Sequence, residues 1–206
     1  LGLQGALASD FDEQACTALK GTKIYDTKIS EAIWNQSGEI GADRMSALTG
    51  GAKKTLKVAP HCIIHGEIAS RTGSDGKHYG IKFELRLPGD WNGKLLFQGG
   101  GGLDGFVAPA LGAVPIRTST ATPALMRGYA VVTTDSGHPT PTPEFGLEQQ
   151  ARLDYAYQAI GKVASVLKQL VFSAYKKAPA HSYFMGCSNG GRSAMMAAQR
   201  YPLEFD

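Results

Sequence analysis

No apolar run in the sequence approaches the ~20 residues that would carry a helix across a bilayer. Charge of one sign is equally scarce. Lys and Arg number 21 against 18 Asp and Glu, a net charge of only +3. No basic run forms a nucleic-acid or polybasic membrane patch, and the densest clusters, Lys53-Lys54 and Lys176-Lys177, read as solvated surface. Neither internal repeats nor metal-ligand spacing among the histidines is visible, so no metal is expected within these residues. Cysteine is limited to Cys16, Cys62 and Cys187. An odd count in a secreted chain suggests pairing with something outside it, whereas three buried thiols would be unremarkable in the cytosol. The sequence opens LGLQGALASDFDEQAC, without an initiator methionine or a basic n-region. That fits a mature N-terminus after signal-peptide removal, or an artificial boundary. Together these cues favour a secreted or periplasmic location.

What is present suffices for one domain with a sizeable core: 206 residues, 43% of them hydrophobic. The first sixty residues read as irregular, apart from a short helix in DEQACTALKG stopped at Gly21. ALTGGAKKTLKVAPHC reads as a loop. Two strands follow in CIIHGEIAS and YGIKFELRLP, the second placing Ile81, Phe83, Leu85 and Leu87 on one face. RTGSDGKH between them has the glycine and aspartate of a hairpin loop. Lys94 to Gln98 is a short strand running into four glycines, and Tyr129 to Thr134 a buried one. After the break at PTPTPEFG, apolar residues at Leu153, Ala156, Ile160, Val163, Leu167 and Leu170 give helical spacing over about 148–177. HSYFMG is a last strand, followed by a helix ended by Pro202. This order predicts an α/β fold, a mixed sheet becoming parallel with helices covering it.

Gly186-Cys187-Ser188-Asn189-Gly190 matches G-x-S-x-G. The pattern alone is loose, but a predicted strand before it and a helix after it are the context of a nucleophile elbow. Small residues Gly190, Gly191, Ala194, Ala197 and Ala198 would let that helix pack closely. At its N-terminus the helix dipole and the Asn189 amide point to where an oxyanion would form. A phosphate-binding turn is the competing reading, weakened because GCSNGGRS lacks the lysine of a P-loop. Gly99-Gly100-Gly101-Gly102 follows an early strand, the position from which esterases supply the other oxyanion donors. Gly101 and Gly102 are the candidates, beside Asn189.

WNGKLLFQGGGG, RGYAVVTTDSGH and GCSNGGRSAMMAAQRYP together resemble the tannase and feruloyl esterase family. The resemblance implies the N-terminal part of an α/β-hydrolase sheet with helices on both faces, the lid and C-terminal strands not being in this chain. Residues 61–206 would be the first half of the catalytic domain, with 1–60 packed on it as an irregular segment. It implies Ser188 as nucleophile of a serine, aspartate and histidine triad, and Cys187 bridged to a cysteine beside the catalytic histidine. Cys16 and Cys62 would then pair with each other. The implied activity is hydrolysis of aromatic carboxylic esters of feruloyl, chlorogenate or galloyl type, a terephthalate half-ester or hydroxybutyrate oligomer being alternatives that the lid would decide. Calcium, where it occurs in the family, belongs to the lid.

The sequence departs from the family pattern in lacking the downstream aspartate, histidine, cysteine and lid. Asp135 and His138 in DSGH precede the serine and are expected to cap a strand or line the pocket. His61, His65, His78 and His181 read as strand-edge or surface residues, and Arg192 as structural, holding a carboxylate. The rest of the site is therefore expected on a C-terminal part of the same precursor, linked through Cys187, without which the chain would be inactive. A non-catalytic fragment or pseudoenzyme that only binds an aromatic ester or a partner chain is the alternative of another class.

Overall fold

The computed structural model describes residues 11–36, 39–40, 56–114 and 119–206. The two predicted strands at its centre are β4 (His61–Thr72) and β5 (His78–Pro88), an antiparallel hairpin. Its turn closes as the sequence implies: Gly73 N–H donates to Lys77 O at 2.8 Å, and Lys77 N–H to the Asp75 carboxylate at 3.0 Å. Ile81, Phe83, Leu85 and Leu87 share the main core. The loop expected in ALTGGAKKTLKVAPHC lies partly outside the described residues. A two-residue strand, β3 (Leu56–Lys57), pairs there with β2 (Glu39–Ile40).

The first sixty residues are less irregular than expected. β1 (Thr27–Asn35) is a nine-residue strand paired antiparallel with the free side of β4. A register shift between Ile29 and Glu31 inserts an extra residue, so the buried side chains Ile29 and Ala32 are three apart rather than two. A bulge of this kind erases the alternation by which a strand is recognised.

β6 (Lys94–Gln98), β7 (Ala130–Thr134) and β8 (His181–Met185) complete a six-stranded sheet of order β1-β4-β5-β7-β6-β8. β7 runs antiparallel to β5 and parallel to β6, and β8 runs parallel to β6. All five residues of β7 are buried, as expected of a strand covered on both faces. The C-terminal ends of β6, β7 and β8 therefore open on one edge of the sheet, where the strand order reverses and α/β proteins place their sites.

One face carries α1 (Glu13–Ala18), capped by the Asp12 carboxylate on Ala15 N–H, and α3 (Ala159–Tyr175). The long helical segment expected over 148–177 is interrupted. α2 (Gln149–Leu153) passes through a π-helical turn, Asp154–Gln158, before α3. Ile160, Val163, Leu167 and Leu170 are buried as predicted, while Leu153 and Ala156 are only half-buried. The wider turn rotates them off the core stripe. α4 (Asn189–Arg200) lies beside α3, with Tyr201 Oη donating to Tyr157 O at 3.0 Å. On the opposite face, Leu96 and Val131 are covered among the described residues by Ala110, Leu111 and the 3-10 turn Leu125–Arg127. No described helix is long and apolar enough to cross a membrane.

A polar line crosses the antiparallel half. Glu84 accepts from His65 Nε2 at 3.1 Å, Arg86 Nε at 2.6 Å and the Ala110 amide at 2.9 Å. His65 also reaches the Glu31 carboxylate at 3.0 Å, and Arg86 Nη1 donates to His61 Nε2 at 3.3 Å. His61 is fully buried, not at an edge or surface, because β4 is an interior strand. Burial pushes the Glu84 carboxyl up, but the His65 bond, the Arg86 charge and the Ala110 amide outweigh it and bring it to about 2.

Cys16 and Cys62 form a disulfide across 46 residues, with Cα atoms 5.6 Å apart, so that implied pairing is present. Closing a loop of that length restricts the unfolded chain by about 4 kcal/mol. Replacing both cysteines by serine should lower the free energy of unfolding in urea by that order. The Glu84 carboxyl lies below its ordinary 4.5, so its stabilisation is present above the ordinary value and lost as pH falls through the folded one. Urea unfolding followed from pH 6 to about 2 should show up to ~3 kcal/mol of loss that Glu84→Gln removes.

Candidate active site

The serine motif sits where β8 hands over to α4. Ser188 has φ +55° and ψ −121°, a conformation that costs a non-glycine residue on the order of 1–3 kcal/mol. The turn is held by Gly190 N–H on Cys187 O at 2.9 Å and Arg192 N–H on Ser188 O at 3.1 Å. Both Cys187 and Ser188 are exposed, and Cys187 is a free thiol. A serine held on a strained turn in front of a helix N-terminus is the backbone geometry that the strand–turn–helix pattern anticipates.

The four glycines lie directly against this turn. Gly99 N–H donates to Met185 O at 2.7 Å, continuing the β6–β8 pairing one step beyond the strands. A Cβ on Gly190 would stand 2.5 Å from Gly100 O and 3.1 Å from Gly99 C, so the two backbones touch with no room for a side chain. Gly102 takes φ +58°, and neither Gly101 nor Gly102 has an atom within 4 Å of its Cβ position. The amides of Gly100, Gly101, Gly102 and Asn189 find no acceptor among the described residues. Unspent N–H groups at a helix start and on an adjoining glycine loop are what an oxyanion hole requires.

Several residues around this edge were not singled out by sequence reading. Asp104 is buried, and its carboxylate accepts from Asn189 Nδ2 at 2.7 Å and from the Ser136 hydroxyl. Burial pushes the Asp104 carboxyl up, against the hydrogen bonds from Ser136 and Asn189. Asn189 Oδ1 accepts from Tyr155 Oη at 2.9 Å and Arg192 Nε at 2.8 Å. Among the described residues Arg192 holds no carboxylate, contrary to expectation. Its Nη1 and Nη2 donate to Ala156 O and Tyr155 O, each at 3.0 Å, and its guanidinium lies 4.4 Å from the Tyr155 ring centre. Those carbonyls belong to the π turn, whose altered hydrogen bonding no sequence pattern announced.

Asp135 and His138 serve the loop after β7. The Asp135 carboxylate accepts from Lys82 N–H at 3.0 Å and Gly137 N–H at 2.9 Å, and burial pushes it up to about 7. His138 is fully buried, stacks on Phe145 at 3.7 Å and gives its Nδ1–H to Thr140 O at 2.9 Å. Burial lowers its pKa. His78 pairs with Glu67 at 2.6 Å, and His181 approaches Asp206 at 3.7 Å. None of the five histidines in the sequence is hydrogen-bonded to Ser188. A cavity of about 290 Å³ is lined by Lys28, His65, Glu67, Lys82 and Phe83, on the antiparallel half and away from the serine. Among the described residues no group of His, Cys, Asp and Glu could hold a metal ion.

The chain is similar to several known proteins. Residues 62–206 match the profile of the family described as tannase and feruloyl esterase. The mono(2-hydroxyethyl) terephthalate hydrolase of Piscinibacter sakaiensis is 37% identical over an alignment of 204 positions that covers 93% of this chain and 32% of that protein. Feruloyl esterase B of Aspergillus niger is 32% identical over 134 residues, covering 65% of this chain and 24% of that one. Among solved structures, feruloyl esterase B from Aspergillus oryzae superposes with a TM-score of 0.74 at 25% identity, over 94% of this chain and 36% of its own. The chain thus spans about a third or less of the length of these relatives.

The contact between the two glycine segments is testable in isolation. Gly190→Ala sets a Cβ against backbone rather than against a movable side chain, and should cost about 1–3 kcal/mol of stability. Gly101→Ala meets no atom within 4 Å and should stay within about 0.5 kcal/mol of the parent. Urea unfolding of both variants measures the difference.

Proposed function

The chain belongs to the tannase and feruloyl esterase family, and from that premise we propose that it carries the nucleophile and oxyanion hole of a serine esterase acting on aromatic carboxylic esters. The observation that carries this reading is Ser188 held at φ +55° at the head of α4, with unspent backbone amides on both sides of it. In the proposed reaction Ser188 Oγ attacks the ester carbonyl as a histidine takes its proton. The carbonyl oxygen becomes an oxyanion, held by the amides of Asn189 and of Gly101 or Gly102. Collapse expels the alcohol, which takes the proton from the histidine, and leaves the acyl group on Ser188. Water, activated by the same histidine, then releases the acid.

The histidine and its aspartate are assigned to polypeptide outside these 206 residues. In support, each histidine of this sequence is engaged elsewhere or exposed away from Ser188. The exposed Cys187 thiol, next to the nucleophile, is assigned a disulfide to that remaining part. Calcium finds no donor set among the described residues and takes no step here. A feruloyl, chlorogenoyl or galloyl ester is the proposed substrate, and the bacterial relative's name makes a terephthalate half-ester the nearest alternative. Secretion is part of the proposal, supported by the Cys16–Cys62 disulfide, a bond that persists in oxidising compartments.

The natural full-length protein should hydrolyse methyl ferulate or methyl gallate and be labelled by a fluorophosphonate at Ser188. Ser188→Ala should abolish the labelling and lower kcat by at least ~10⁴-fold. Comparable turnover by Ser188→Ala would remove the serine from the mechanism, and an inert parent would leave a binding role.

A further inference from the structure

We propose that Asp104 is the positioning residue of the oxyanion hole, the group that fixes the glycine-loop amides relative to the Asn189 amide. The inference rests on the serine esterase reading and deepens it. Asp104 follows the glycine run and closes it into a turn, its own N–H donating to Gly101 O at 3.1 Å. It does so in a left-handed conformation, φ +33°, with 4% of its surface exposed. From there its carboxylate grips the other two loops of the edge. One oxygen takes Asn189 Nδ2 at 2.7 Å and the other takes the Ser136 hydroxyl. A single carboxylate therefore joins the segments that leave β6, β7 and β8.

The far side of the Asn189 amide is equally engaged. With Tyr155 Oη and Arg192 Nε on its Oδ1, the Asn189 side chain has a partner in each direction. The residue whose backbone N–H faces the reacting oxygen is thus clamped through its side chain. Asp104 touches no reacting atom in this scheme and acts only through Asn189 and the Gly101 turn. Its role is geometric rather than electrostatic. A negative charge this near a developing oxyanion would by itself oppose the reaction, and the Arg192 guanidinium across Asn189 offsets it.

That distinction sets the test, made on the natural full-length protein with methyl ferulate as substrate. Asp104→Ala removes both acceptors and should lower kcat about 100-fold with KM within about threefold, since misplaced donors weaken the transition state and not the ground state. The inhibition constant of phenylboronic acid, whose adduct with Ser188 fills the oxyanion hole, should rise by a similar factor, while that of ferulate stays put. Asp104→Asn keeps an acceptor for Asn189 and a polar partner for Ser136, and should return kcat to within about fivefold of the parent. If Asp104→Ala does not fold, Ser136→Ala, which releases one arm of the clamp, should still lower kcat about fivefold at unchanged KM. Unchanged kcat in the folded alanine variants overturns the proposal. So does a loss in Asp104→Asn equal to that in Asp104→Ala, or a parallel weakening of ferulate binding. A parent inert to both ester and boronate sinks the esterase reading as well. An active parent with an inert Ser188→Ala and an unaffected Asp104→Ala sinks this inference alone.

Discussion

The contact between the Gly100 carbonyl and Gly190 brings the two chemically informative stretches of the chain, ninety residues apart in sequence, to backbone separation. A side chain at Gly190 would meet the Gly100 carbonyl and one at Gly99 would meet Gly190, so either would wedge the segments apart. With glycine at both, the loop that follows β6 packs directly against the first turn of α4. The strand pairing makes this possible. β6 and β8 run parallel and in register from Lys94 opposite His181 to Gln98 opposite Met185, so both turns leave the sheet at the same level.

A serine at φ +55° is stable only when its surroundings leave no alternative. Here the surroundings are assembled from distant parts. The Asp154 carboxylate, fully buried, pairs with Arg71 at 3.2 Å and Lys162 at 2.8 Å. It thereby ties the outer end of β4 to the π turn in front of α3. The turn presents Tyr155 O and Ala156 O to Arg192, and Arg192 in turn holds Asn189. Restraint passes from the antiparallel half of the sheet to the head of α4 through fully charged or charge-assisted bonds, which are the stronger kind.

Much of this fold was legible because its signals are local. The elbow, the glycine run, the Asp75–Gly76 turn and the apolar spacing of α3 each follow from a few neighbouring residues, and each is found where the residues indicated. What escaped depends on partners remote in sequence. β1 was hidden by one inserted residue near Ser30, which breaks the alternation of Ile29 and Ala32. The π turn left no trace because DYAYQ is compatible with an ordinary helix. His61 looked superficial until β1 was known to lie outside β4 and make it an interior strand. Asp104 resembled any loop aspartate, since the groups that define it, Ser136 and Asn189, lie 32 and 85 positions away.

The antiparallel half is thus part of the site's support rather than a separate appendage. Glu84 on β5 accepts from the Ala110 amide, and the Thr133 hydroxyl on β7 donates to Ala108 O. Gln98 at the end of β6 accepts from Gly112 N–H at 2.6 Å. Between them they pin the segment that leaves the glycine loop and crosses the sheet. Loosening Glu84 by protonation would free the far end of that segment, and the Cys16–Cys62 disulfide restrains the strand that carries the His65 and His61 ends of the Glu84 line. The polar line thus meets the segment that follows the glycine loop at the Ala110 amide, and the disulfide joins that line through β4.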